Sequence, residues 1–272
     1  GLAADPSGHL WRAKLPGFRS RTAEGGCRWI LMITFACILF SGSDQVPDYS
    51  TGYYSELWVE RLFHGLAKHI PDHIQWELLV LTDGKPWRFP IQPEIRHEHL
   101  QHPPGWFSLL EPLRDAAATG RRVITLGLDS VITGSLAQLC AYTGEFGWLR
   151  DPYNRALCCN GISSCSAEMA ARLWGRFIAD PDGARRSSGF APAGGLPSEM
   201  VWLRNQLGCN SDLLDDLHPG RYVSYKCHMA GRDGVVAARI LDASSVVYFH
   251  GRPRQSDLAA SDPVRMLWEG CA

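Results

Sequence analysis

The sequence lacks any apolar run approaching the roughly 20 residues that cross a bilayer as a helix. Its most apolar stretch, residues 29–40, follows Arg28 and looks superficially like the core of a signal peptide. No small-residue cleavage site follows at once, so the stretch reads as a buried first strand. Paired Cys-x-x-Cys motifs are also missing. Nine cysteines are scattered, Cys158 and Cys159 adjacent, Cys165 and Cys209 alone. Neither a disulfide framework nor a zinc site is expected, and the thiols read as reduced in a cytoplasmic protein. No charge of one sign dominates: 27 Lys and Arg against 28 Asp and Glu leave a formal net charge of −1. That gives no general affinity for nucleic acid or an anionic membrane, so any anionic ligand must be met by a local patch. Internal repeats and long Gly/Ser linkers are absent too, leaving no obvious seam in the chain.

What is present fits one large globular domain. At 272 residues, 45% hydrophobic and 20% charged, the chain can bury a sizeable core. Ten Trp and 17 Pro point to fixed loops and an aromatic-rich interior. The sequence starts at Gly1, and Met32 stands where the first strand begins. The expectation is a loosely packed or disordered leader over 1–28 and a single domain over 29–272.

The chain is organised around Val123-Ile124-Thr125-Leu126-Gly127-Leu128-Asp129, an apolar run of strand length that ends on an acid. It then passes through Gly134-Ser135 into a short apolar-periodic segment, 136–142. Upstream, a strand over 33–40 leads into Ser41-Gly42-Ser43-Asp44, small residues that let a ligand approach the backbone. Val59, Leu62, Phe63, Leu66 and Ile70 recur at helical spacing within 54–70. A strand over 76–81 closes on Thr82-Asp83-Gly84. Strand, helix and strand in this order predict parallel βαβ units. Residues 85–104 read as an irregular excursion with a short edge strand around Ile91, and His97, His99 and His102 as solvated loop histidines. A helix over 106–119 stops at Gly120.

After Asp129 the pattern predicts a strand over 147–151, a loop through 159–162 and a helix over 167–178. Residues 180–197 read as the most mobile loop in the body, and Ser198 as the cap of a helix reaching Leu207. An edge strand over 222–226 and a last strand over 245–249 follow. The last strand delivers His250-Gly251-Arg252-Pro253-Arg254 into a turn.

Two strands therefore end on candidate metal ligands, Asp129 and His250. A carboxylate with an imidazole suits Mn²⁺ or Mg²⁺ better than Ca²⁺, with phosphate oxygens and water completing the shell. Gly251 leaves room for a diphosphate, and Arg252 and Arg254 can pair with it. Blander readings stand beside these. Asp83 suits a turn, Trp106 suits a core, and Lys226 suits the solvated face of an edge strand.

Leu128-Asp129-Ser130-Val131-Ile132-Thr133-Gly134-Ser135-Leu136 resembles the Asp-x-Asp region of GT-A-fold glycosyltransferases. In serial order, so do Trp148-Leu149-Arg150-Asp151, Asn160-Gly161-Ile162, Pro219-Gly220, Val223-Ser224-Tyr225-Lys226 and Phe249-His250-Gly251-Arg252-Pro253-Arg254. The nearest likeness is to bacterial and phage-borne proteins related to glycosyltransferase family 8. The resemblance runs from about Ile33 to Trp268. It implies an α/β fold of GT-A type (nucleotide-diphospho-sugar transferase-like), with a mostly parallel central sheet flanked by helices and an extra antiparallel pair near the carboxyl end. The implied activity is transfer of a sugar from a nucleotide-sugar donor, a UDP-sugar being favoured, to a carbohydrate or other acceptor.

The resemblance further implies a nucleotide-sugar site from Ser41, Ser43 and Asp83, and a divalent metal on Asp129 and His250. The diphosphate would fall to Gly251, Arg252 or Arg254, and Lys226, with Asp151 and Asn160 orienting sugar hydroxyls. Three positions depart from the pattern. Gly127 replaces the first Asp of Asp-x-Asp, Leu109 replaces a Lys, and Ser198-Glu199 replaces an acid–amide pair. The alternative expectation is a catalytically degraded relative, a phage or prophage accessory protein that binds a nucleotide sugar or glycan without turning it over.

Overall fold

The apolar runs become strands wherever both faces are covered. A computed structural model of the protein describes residues 32–39, 54–84, 92–188, 198–208 and 211–270, all within one unit, Leu31–Ala272. The expected 1–28 leader lies outside the described residues. β1 (Met32–Leu39) leads towards α1 (Glu56–His69), and β2 (Gln75–Thr82) and β3 (Ile95–His99) follow. A 3₁₀ turn at Trp106–Leu110 runs into α2 (Glu111–Thr119), which Gly120 ends in the left-handed conformation at φ 71°. Then come β4 (Arg122–Leu126), β5 (Ser130–Ile132), α3 (Ala137–Cys140), β6 (Phe146–Arg150), β7 (Cys158–Cys165), α4 (Ala167–Ala179) and α5 (Pro181–Ser187). α6 (Glu199–Leu207), β8 (Asp212–Leu213), α7 (Leu214–Leu217), β9 (Tyr222–Ser224), α8 (Gly234–Ala243), β10 (Val246–Tyr248) and α9 (Pro263–Glu269) complete the order.

A seven-stranded sheet has the order β3-β2-β1-β4-β7-β6-β8, and a three-stranded sheet the order β5-β10-β9. β3, β2, β1 and β4 are mutually parallel, while β7 runs antiparallel to both β4 and β6. This is the expected α/β architecture with a mostly parallel central sheet flanked by helices. In the small sheet β10 is antiparallel to β5 and parallel to β9, so the expected antiparallel pair carries a third strand. Phe35 and Leu78 look towards Trp58, Val59, Leu62 and Leu66 on one side of the large sheet. Ala36 and Leu79 look towards α2 and α4 on the other. Alternate residues of adjacent parallel strands thus feed two cores, which the period-2 geometry of a strand requires.

Several expectations need correction. β4 ends at Leu126, three residues before Asp129; Gly127-Leu128-Asp129 is a turn closed by the Ser130 N–H on the Gly127 carbonyl at 3.0 Å. The edge strand expected around Ile91 falls outside the described residues, while Ile95–His99, within the expected irregular excursion, forms an edge strand. Arg-His-Glu-His carries no apolar alternation. It pairs with β2 through its backbone and through Arg96, which bridges Glu77 (2.8 Å) and Asp115 (2.9 Å). His97 and His99 thus lie on a strand, and His102 packs on the rings of Trp174 and Phe177. The loop expected at 159–162 is part of β7, an eight-residue strand of Cys, Asn, Gly and Ser around a single buried Ile162, with an irregular register against β6. Within 180–197, α5 replaces the first part of the expected loop, its cap Asp180 accepting the Gly183 N–H at 2.8 Å.

Candidate functional site

The carboxyl ends of β1 and β4, the β4–β5 turn, the start of β7 and the exit of β10 converge on one cleft of about 350 Å³. Parallel strands leave a crevice at that rim, and a second sheet supplying its far wall makes it concave. Register explains how residues distant in sequence meet there. Ser130 pairs with Tyr248 across β5 and β10, and the Phe249 N–H donates to the Asp129 carbonyl at 3.2 Å. Asp129 and His250, 121 positions apart in the sequence, therefore leave neighbouring strands at the same end.

Asp129, Asp151, Asn160, His250, Gly251 and Arg254 all line the cleft. Arg254, only 6% exposed, places Nη1 on Asp129 Oδ2 as an ion pair. The Tyr54 hydroxyl donates to the same oxygen at 3.2 Å, and the guanidinium lies over the Tyr54 ring at 5.3 Å. Burial pushes the Asp129 carboxyl up from its usual range, and Arg254 and Tyr54 pull it back down. Lys226 stands beside Gly251, which has φ +68°; a Cβ there would lie 3.2 Å from the Lys226 ammonium nitrogen. Burial and Arg254 lower the Lys226 pKa.

His250 contacts Ser224 Oγ through Nε2 at 2.7 Å, and Ser224 Oγ also accepts the Cys227 N–H at 3.3 Å. Burial, then Lys226, pushes the imidazole down to about 4, so it is neutral at neutral pH. The exposed ring of Tyr153 stands edge-on to it at 4.9 Å.

Asp151 ends the β6 segment and caps the next turn. Its Oδ1 accepts the N–H groups of Tyr153 (2.9 Å) and Asn154 (3.1 Å), and Oδ2 faces Arg204 at 3.4 Å. Asn160, on β7, donates its amide to Glu199 Oε1 at 2.7 Å. Glu199 is 1% exposed and opens α6, whose N-cap is Ser198. Burial raises its carboxyl to about 7, against the hydrogen bond from Asn160.

The remaining expected residues lie elsewhere. Arg252 is 72% exposed and pairs with Asp257 at 3.3 Å, while Asp83 is exposed beyond the end of β2; neither lines the cleft. Ser41 and Ser43 lie outside the described residues. Sequence reasoning missed Tyr54, Tyr153 and the depth at which Glu199 sits. For Glu199 the only signal was a capped helix start at the position of the expected acid–amide pair. Trp106, read as core, lines the cleft with Gly105.

As the side chains stand, they do not make a divalent-metal centre. Asp129 is satisfied by a guanidinium and a phenol, and His250 Nε2 is engaged by the Ser224 hydroxyl. A side chain at Gly127 would put its Cβ 2.5 Å from Asp129 Oδ1, so a second acid two positions earlier has no room. Among the described residues no cluster of three His, Cys, Asp or Glu could hold an ion.

No protein-family model matches the chain, and no curated protein matches it in sequence. Its fold is similar to solved glycosyltransferase structures. The galactosyltransferase LgtC, solved with donor and acceptor sugar analogues, aligns with a TM-score of 0.57 at 12% identity, over 89% of this chain and 95% of that one. GlyE of Streptococcus pneumoniae TIGR4 aligns at 0.56 and 12% identity, again over 89% of this chain. The bifunctional glycosyltransferase WbbM aligns at 0.54 and 8% identity. The chain spans 59% of the length of GlyE and 51% of that of WbbM. These likenesses establish the fold as that of GT-A-type glycosyltransferases. Among the described residues no helix is long and apolar enough to cross a membrane.

Proposed function

We propose that the protein transfers a sugar from a nucleotide-sugar donor, a UDP-sugar in the first instance, to a carbohydrate or other hydroxyl-bearing acceptor. The observation that carries this reading is a single cleft, at the ligand-binding rim of a GT-A-type sheet, that combines a cationic wall with a buried acid. Gly251 and Arg254 line the wall, the Lys226 ammonium stands behind Gly251, and Glu199 is the acid.

In the proposed reaction the bond between the anomeric carbon and the β-phosphate oxygen breaks, its electron pair leaving on the diphosphate. The acceptor oxygen bonds to the anomeric carbon and loses its proton to the Glu199 carboxylate. A carboxyl that titrates at about 7 exchanges protons readily at neutral pH. Asn160 orients Glu199 through their hydrogen bond. Asp151 acts with it on sugar hydroxyls, and Trp106 and Tyr153 offer apolar faces to the sugar or base. The Mn²⁺ or Mg²⁺ implied by the family resemblance has no ligand set in this arrangement and is given no step.

Calorimetric titration with UDP, followed by an assay for sugar release from UDP-sugars, tests the reading. Binding with slow donor hydrolysis is the expected result. Binding without any turnover, over a panel of donors and acceptors, would reassign the chain to the non-catalytic alternative. No binding to any nucleoside diphosphate would end the proposal.

A further inference from the structure

A diphosphate leaving group develops negative charge as the sugar departs, and something cationic must meet it. In this cleft the strongest fixed positive charge is a side chain. Arg254 is nearly fully buried, ion-paired to the acid of the β4–β5 turn and backed by the Tyr54 ring. Lys226 adds a second positive charge beside Gly251. Two basic side chains, Arg254 and Lys226, therefore stand near the single acid of the β4–β5 turn.

A guanidinium presents five N–H donors in a planar fork whose geometry matches two phosphate oxygens. Gly251, exposed and without a side chain, lets a diphosphate approach Lys226 closely. Gly127 fits the same scheme. The space a second acid would need is filled by the Asp129 carboxylate itself, at 2.5 Å from a Cβ at 127. Asp129 is therefore left to anchor the arginine.

We propose that Arg254, oriented by Asp129 and Tyr54 and assisted by Lys226, takes the place of a divalent cation, so that this site binds a nucleoside diphosphate without metal. The inference rests on the nucleotide-sugar reading above and specifies its charge chemistry. Arg254 and Lys226 would touch the diphosphate; Asp129 is a positioning residue that acts through Arg254.

The test is titration of the metal-stripped full chain with UDP, once with excess EDTA and once with excess Mn²⁺. The inference expects affinities within about 2-fold of each other, because the charge is already supplied. Arg254→Met should weaken binding by about 30-fold or more in both conditions, and Lys226→Met by about 10-fold, the scale of charge-assisted hydrogen bonds. Lys226 is partly exposed, so its variant keeps the test informative if Arg254→Met does not fold. Asp129→Asn should weaken UDP binding in EDTA as well, through loss of the anchor. Binding that appears only with Mn²⁺, or K226M binding as tightly as the parent, would overturn the inference while leaving the nucleotide-sugar reading intact. Absence of binding in both conditions, with UDP and with every other nucleoside diphosphate, would overturn both.

Discussion

Glu199 illustrates how a side chain acquires a chemical role from where the chain leaves it. A carboxylate in water titrates near 4.5; here burial moves it to about 7, and the Asn160 amide limits the rise. If Glu199 takes the acceptor proton in its ionised form, kcat should climb with pH through about 7 and then level off. Glu199→Gln should remove that limb and lower turnover by ~10²–10⁴-fold, while UDP affinity by calorimetry stays near that of the parent. Asn160→Ala deletes the bond that favours the ionised form, so the limb should move above its parent position. An unshifted profile in both variants would assign proton transfer to another group. The sequence showed Glu199 only as the first residue of a helix with a serine cap, because nothing in local spacing reports desolvation. It likewise left Arg252 and Arg254 equivalent. Two positions apart, they differ only in that one meets Asp257 at the surface and the other Asp129 in the cleft.

At the scale of elements, legibility followed apolar patterning. β1, α1, β2, α4 and β10 fall within a residue or two of expectation, because each buries a face whose periodicity is visible in the sequence. β3 and β7 did not show themselves. One is held by ion pairs and parallel backbone bonding, and the other has Ile162 as its one large apolar residue among Cys, Asn, Gly and Ser. The β4–β5 turn was placed correctly but misread as the end of a strand. That turn yields a sharp expectation for Gly127→Ala. The new methyl would sit 2.5 Å from Asp129 Oδ1, a distance real Cβ atoms do not tolerate, so the carboxylate must swing off Arg254. Disturbing this buried pair should lower stability by about 1–3 kcal/mol, read from the denaturant midpoint. UDP affinity should fall with it. A variant as stable and as tight-binding as the parent would mean that Asp129 does not hold the arginine in place.

The stability of the whole molecule depends on protons held at two residues that line the cleft. His250, pushed down to about 4 from 6.5, binds fewer protons folded than unfolded, so its contribution to stability grows as pH rises across that window. Glu199, pushed up to about 7 from 4.5, binds more protons folded than unfolded, so its contribution shrinks as pH rises across its own. Each slope has a magnitude of about 1.4 kcal/mol per pH unit at full occupancy, with opposite signs. Between pH 4.5 and 6.5, where the windows overlap, the two slopes offset each other. Asp129 and Asp215, also raised by burial, titrate in parent and variants alike and cancel in a difference measurement. Denaturant stability of Glu199→Gln minus that of the parent should therefore rise between pH 4.5 and 7, by on the order of 1–3 kcal/mol. The corresponding difference for His250→Asn should fall between pH 4 and 6.5. Since both groups line one cleft, a flat difference for either would show its surroundings to be open to water in solution, and the proton balance between them would fail with it.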